Sequence, residues 1–147
     1  MVIETATREE TLALGVKIGE QALPGTIICV DGDLGAGKTV LAQGIANGLG
    51  ISEQVVSPTF TILQEYRDGR IPFYHFDVYR IEDPDEMYEV GFEDYFYGDG
   101  VCMIEWAELI RELLPEDHVH ITIEKQMDKG SDYRRIRAEG LPGSVTG

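Results

Sequence analysis

Short apolar, β-branched runs alternate along this chain with stretches whose apolar residues recur every three or four positions. The clearest run is Thr26-Ile27-Ile28-Cys29-Val30, apolar on successive residues, which predicts a buried parallel strand. After a Gly-rich interval, Leu41, Ile45 and Leu49 follow at i, i+4 and i+8 and predict a helix. Ahead of the strand, Thr7 is placed to cap a helix from Arg8 to about Leu23, stopped by Pro24-Gly25, with Leu12, Val16, Ile18 and Leu23 as its apolar positions. Met1 to Thr5 reads as a short edge strand. Thr59 to Tyr66 and Ile71 to Tyr79 flank the turn Arg67-Asp68-Gly69-Arg70 and predict an antiparallel hairpin. Asp83-Pro84 opens a short helix to about Val90, and a further turn covers Gly91 to Phe96. Val101-Cys102-Met103-Ile104 predicts a central parallel strand, Ala107 to Leu114 a helix stopped by Pro115, and Val119–Glu124 and Tyr133–Glu139 the last two strands.

Composition changes this picture little, and charge changes it more. Hydrophobic content of 43% over 147 residues supports one core, read as a single α/β domain over residues 1–140 with a C-terminal tail at 141–147. Cys29 and Cys102 lie in apolar runs and read as core thiols. Two such cysteines and no leader segment point to a reducing, cytoplasmic setting. The formal charge of −15 argues against broad nucleic-acid binding, which needs a basic footprint. A local basic patch at Arg134, Arg135 and Arg137 stays open.

The Gly-rich interval carries the first chemistry. Gly32-Asp33-Leu34-Gly35-Ala36-Gly37-Lys38-Thr39 fits G-x-x-x-x-G-K-[ST], placed between strand and helix as a phosphate-binding P-loop requires. Gly32, Gly35 and Gly37 permit backbone conformations that turn successive N–H groups inward around phosphate oxygens. The helix start at Lys38, Thr39 and Val40 adds its dipole and free N–H groups. Lys38 would reach the β- and γ-phosphates, and the Thr39 hydroxyl would meet Mg²⁺.

Cleaving a phosphate needs more: a carboxylate for the metal and a group that orients water. Glu105, ending the apolar run at 101–104, takes the acidic place at the carboxyl end of a strand, where open α/β sheets hold ligands. Its ordinary alternative is a strand-end carboxylate facing solvent. Asp77 is the second candidate; on a strand it shares a polar face with His75 and Tyr79, opposite Phe76 and Val78. That face reads equally as a solvated one. Ser57-Pro58-Thr59 is a third candidate, a loop sensing the γ-phosphate or an ordinary Ser-Pro turn, and Trp106 reads as core, as a wall of the site or as part of a partner surface.

Four motifs in order, GDLGAGKT at 32–39, SPTF at 57–60, HFDVYR at 75–80 and IEW at 104–106, resemble the bacterial TsaE (YjeE) family over nearly the whole chain. The resemblance implies a three-layer P-loop NTPase fold with a mixed, mostly parallel sheet and an antiparallel hairpin. It implies an ATPase that binds ATP and Mg²⁺, is slow alone, and acts with TsaB- and TsaD-type proteins in threonylcarbamoyladenosine modification of tRNA. It assigns phosphate binding to Lys38 and the P-loop backbone, Mg²⁺ to Thr39 and Glu105, a hydrolysis role to Asp77, and a switch loop to Thr59. Thr7 and Arg134 or Arg135 become candidates for the adenine pocket, beside their plainer reading as a helix cap and strand arginines.

Other P-loop functions lack their own signals. A small-molecule kinase usually carries an Arg-rich lid, and between Glu105 and the last strand stands only Arg111. A GTPase would bring an Asn-Lys-x-Asp element, which this chain does not contain. A nucleotide-dependent binding module that rarely turns over overlaps with the ATPase reading.

Overall fold

A computed structural model describes residues 1–32, 37–56, 58, 62–142 and 145. In chain order its elements are β1 (Val2–Thr5), α1 (Arg8–Gln21), β2 (Ile27–Gly32), α2 (Lys38–Gly48), β3 (Leu63–Tyr66), β4 (Phe73–Asp77), α3 (Glu86–Val90), α4 (Phe92–Phe96), β5 (Val101–Glu105), a 3₁₀ segment (Ala107–Leu113), β6 (Val119–Lys125), a single 3₁₀ turn (Met127–Lys129) and β7 (Arg134–Glu139). The strands form one sheet in the order β1-β7-β6-β2-β5-β4-β3. β6, β2, β5 and β4 are mutually parallel. β1 runs with them, because it is antiparallel to β7 and β7 is antiparallel to β6. Only β7 and β3 run against this direction, and β3–β4 is the expected hairpin. The fold is thus the mixed, mostly parallel P-loop type with helices on both faces.

Alternation along the central strands feeds two cores. Ile28, Val30, Val101, Met103, Ile121 and Ile123 point into the layer of α1 and α2. Ile27, Cys29, Phe76, Cys102 and Ile104 point into the layer of α3, α4 and the 3₁₀ segment, where Phe76, Phe92 and Phe96 meet edge to face. Cys29 and Cys102 are core thiols, and burial pushes both up to about 12.

The α1 face differs from the expected one. Leu23 is exposed and lies beyond the helix, and Leu12 and Val16 are only half-buried. The buried stripe is Thr11, Leu14, Gly15, Ile18 and Gly19. The cause is contact between backbones. A Cβ added at Gly15 would lie 2.6 Å from Leu41 O, at Gly19 2.1 Å from Ile45 O, at Gly44 2.3 Å from Leu12 O, and at Gly48 2.2 Å from Val16 O. Small residues, not large apolar ones, set this helix crossing.

Two other elements depart from expectation. β4 starts at Phe73 because Pro72 has no N–H to give; its carbonyl still accepts from Val101 at 2.8 Å. Residues 107–113 form an irregular 3₁₀ segment with Ile110 at φ −124°, ψ 31°, turned so that Ala107 and Ile110 are both buried. Within the segment 141–147, Leu141 packs against the first core and Val145 is buried.

Candidate functional site

The carboxyl ends of β2, β4 and β5 converge on the first turn of α2. Gly37 supplies the turn into that helix with φ 103°, a conformation that side-chain-bearing residues rarely adopt. Lys38 begins the helix and is buried; its Nζ donates to Gly32 O at 2.7 Å and lies 3.9 Å from the centre of the Trp106 ring. Trp106 holds that place with φ 63°, the one side-chain-bearing residue at positive φ among the described residues. Such a conformation costs of order 1 kcal/mol and marks a position worth explaining. Here it turns the indole, directly after Glu105, over the ammonium. The half-exposed Tyr79 also packs against the indole, ring centroids 4.9 Å apart and planes tilted by 49°. Trp106 is therefore a wall of this site.

Asp77 and Glu105 stand opposite each other in the parallel β4–β5 register. Both lie on the α2 side of the sheet, since alternate residues Phe73 on β4 and Met103 on β5 point into that core. Burial pushes the Asp77 carboxyl above the usual carboxylate range; the Tyr79 N–H, 3.0 Å from Oδ1, opposes this, and the charge of Glu105 adds to it. Glu105 does not face solvent: it is 3% exposed.

The polar strand face of His75, Asp77 and Tyr79 grades from dry to wet. His75 is fully buried, Asp77 half-buried and Tyr79 exposed. His75 Nε2 lies 2.6 Å from Glu105 Oε2, so His75 belongs to the site although the sequence reading left it aside. The available signal was its place two residues before Asp77 on the same strand face.

The remaining candidates fall in several places. Asp33, Leu34, Gly35 and Ala36 lie outside the described residues, as do Ser57 and Thr59. Thr39 and Val40 sit half-buried in the first turn of α2. Arg134 comes to the site: a Cβ built on Gly37 would be 3.6 Å from its Nε. β1 delivers Thr5 opposite Arg134, and Thr7 follows two residues later. Thr7 caps α1, its hydroxyl accepting from Glu10 N at 3.1 Å. Acidic residues accompany two of the β7 arginines. Arg137 pairs with Glu124 at 3.2 Å, and Arg135 lies opposite both Glu4 and Glu124 in the sheet register.

Chemically, this arrangement offers one buried cation at a helix start and two adjacent carboxylates on neighbouring strands. Among the described residues no three metal-binding side chains cluster. Two carboxylates suit a hard cation that takes its other ligands from phosphate, hydroxyl and water, as Mg²⁺ does.

Comparison with known proteins gives a consistent result. The family model "Threonylcarbamoyl adenosine biosynthesis protein TsaE" matches residues 5–136. A protein of Bacillus subtilis (strain 168), "tRNA threonylcarbamoyladenosine biosynthesis protein TsaE", is 48% identical over 132 residues, covering 90% of this chain and 80% of that protein. A protein of the same description from Nostoc sp. is 50% identical over 135 residues, covering 89% and 82%. The crystal structure of Bacillus subtilus YdiB superposes with a TM-score of 0.81 at 40% identity, over 99% of this chain and 88% of that one.

Proposed function

This chain belongs to the TsaE family of threonylcarbamoyl adenosine biosynthesis proteins, and on that premise we propose that it is the Mg²⁺-dependent, ATP-binding and ATP-hydrolysing component of tRNA threonylcarbamoyladenosine biosynthesis. One observation carries the reading: Glu105 and Asp77 are paired in register on the sheet face and at the strand ends where Lys38 opens α2. Lys38 binds the β- and γ-phosphates, leaving Gly32 O and keeping the Trp106 face beside it. Thr39 and Glu105 would hold Mg²⁺, which when bound neutralises charge on the transferring phosphoryl group. Asp77 orients the attacking water, a task its raised affinity for protons supports. Arg134, beside Gly37, contacts the nucleotide from the β7 side.

Turnover in isolation is slow, and the working unit includes TsaB- and TsaD-type proteins. The net charge of −15 and the acid-matched arginines of β7 support tRNA being met mainly through those partners. Among the described residues no helix is long and apolar enough to cross a membrane. From the family's place in tRNA modification we place the protein in the cytoplasm. The test is phosphate release from ATP, with and without the two partner proteins and tRNA. Stimulation by the partners, abolished in Lys38→Ala, is the expected result. Rapid phosphorylation of a metabolite by the isolated protein overturns the proposal.

A further inference from the structure

We propose that His75 is a positioning residue: it fixes the Glu105 carboxylate for Mg²⁺·nucleotide binding, an inference that rests on the function proposed above. His75 sits on β4 opposite Met103, one strand from Glu105, and its side chain is fully buried. A carboxylate oxygen only accepts, so the Nε2–H of His75 donates to Oε2 across 2.6 Å. A buried carboxylate without such a donor is costly.

The other ring nitrogen gives the reason to read this as more than packing. His75 Nδ1 is buried with no hydrogen-bond partner among the described residues. A buried polar atom left unpaired costs about 1–3 kcal/mol. A phenylalanine would fill the same place without that cost, as Phe73 does two residues earlier on the same face. Among the described residues nothing offsets that cost at Nδ1, and what the imidazole supplies in return is the bond to Glu105.

The ring is also held rigidly. Phe73 stacks on it at 6.0 Å between centroids and 20° between planes, and Tyr66 stacks on Phe73 at 6.1 Å and 26°. The Tyr66 hydroxyl is anchored in turn, accepting from Val56 N at 3.2 Å and donating to Val56 O at 3.4 Å. Glu105 is thus oriented by a side chain that is itself buried and stacked against an anchored aromatic pair. Metal-ligating groups are commonly held this way, and loss of the holding residue typically costs 10–100-fold in metal affinity or activity.

The experiment measures the affinity of a non-hydrolysable ATP analogue with and without Mg²⁺, in the full-length protein. The quantity read is the gain in affinity that Mg²⁺ confers. In His75→Phe this gain falls about tenfold, while metal-free affinity stays within about twofold of the parent. In His75→Gln, whose amide nitrogen reaches the place of Nε2, the gain stays within about threefold of the parent. If His75→Phe does not fold, His75→Asn replaces it: its shorter amide does not reach Glu105, so the gain is lost there and kept in His75→Gln. A Mg²⁺ gain equal to the parent's in His75→Phe or His75→Asn overturns the role of His75, as does an equal loss in His75→Gln. A parent protein whose nucleotide affinity ignores Mg²⁺ overturns the functional reading, and this proposal with it.

Discussion

Two cross-strand pairs in this sheet join a glutamate to a nitrogen base, and they live in opposite surroundings. His75 and Glu105 bridge β4 and β5 at 2.6 Å, with side chains 0% and 5% exposed. Arg137 and Glu124 bridge β7 and β6 at 3.2 Å, with side chains 56% and 37% exposed. In water the second pair gains little, because solvent screens the charges and holding two long side chains costs entropy. In the dry interior the first pair decides more: each partner left alone is a buried polar group with nothing to bond. Charge type therefore says little about importance here. Depth in the sheet says most of it, and the deep pair lies beside Lys38.

The sharpest way to separate the two is to remove an acid from each. Glu105→Ala should lower Mg²⁺-dependent ATP turnover about 10³-fold, some 4 kcal/mol of transition-state stabilisation. Metal-free binding of a nucleotide analogue should stay within about threefold; an equal loss of metal-free binding would count against Glu105 as a ligand. Next in size is folding stability. His75→Ala leaves a cavity and an unpaired buried carboxylate, and should cost about 3 kcal/mol in a denaturant titration.

Asp77 is the intermediate case. Its carboxyl is raised above the ordinary range by burial first and by Glu105. The folded state therefore holds the Asp77 proton more tightly than the unfolded chain does. Stability from this group is present below the unfolded carboxylate range and is lost as pH rises through the raised folded value. In Mg²⁺-free buffer, Asp77→Asn should unfold at a higher temperature than the parent at pH 7, by under about 1 kcal/mol after solvent screening. The two should converge near pH 4. The smallest effect belongs to the exposed pair: Arg137→Ala should shift the urea midpoint by no more than about 0.5 kcal/mol. A shift of several kcal/mol there would dissolve the contrast.

Much of this arrangement is legible along the chain. The apolar run at 26–30, the glycines and Lys38 place one edge of the site, and the run ending at Glu105 places the other. Alternation also put His75 and Asp77 on one face of β4. It could not tell that the face is covered at His75 and open at Tyr79, because the period of a strand says which residues share a side and nothing about what lies over them. The pairing of residues 75 and 105 is a property of the β4–β5 register, which only the assembled sheet supplies. The α1–α2 crossing escaped for a different reason. Apolar periodicity weighs side chains, and Gly15, Gly19, Gly44 and Gly48 act by having none.

Trp106 is the single tryptophan among the 147 residues. Excited at the red edge of its absorption, the whole molecule emits from one spot, the indole 3.9 Å from the Lys38 ammonium. Its brightness and colour are then a native gauge of where that ammonium rests. The protein carries its own optical probe at the proposed phosphate site, with no dye to attach and no second emitter to subtract.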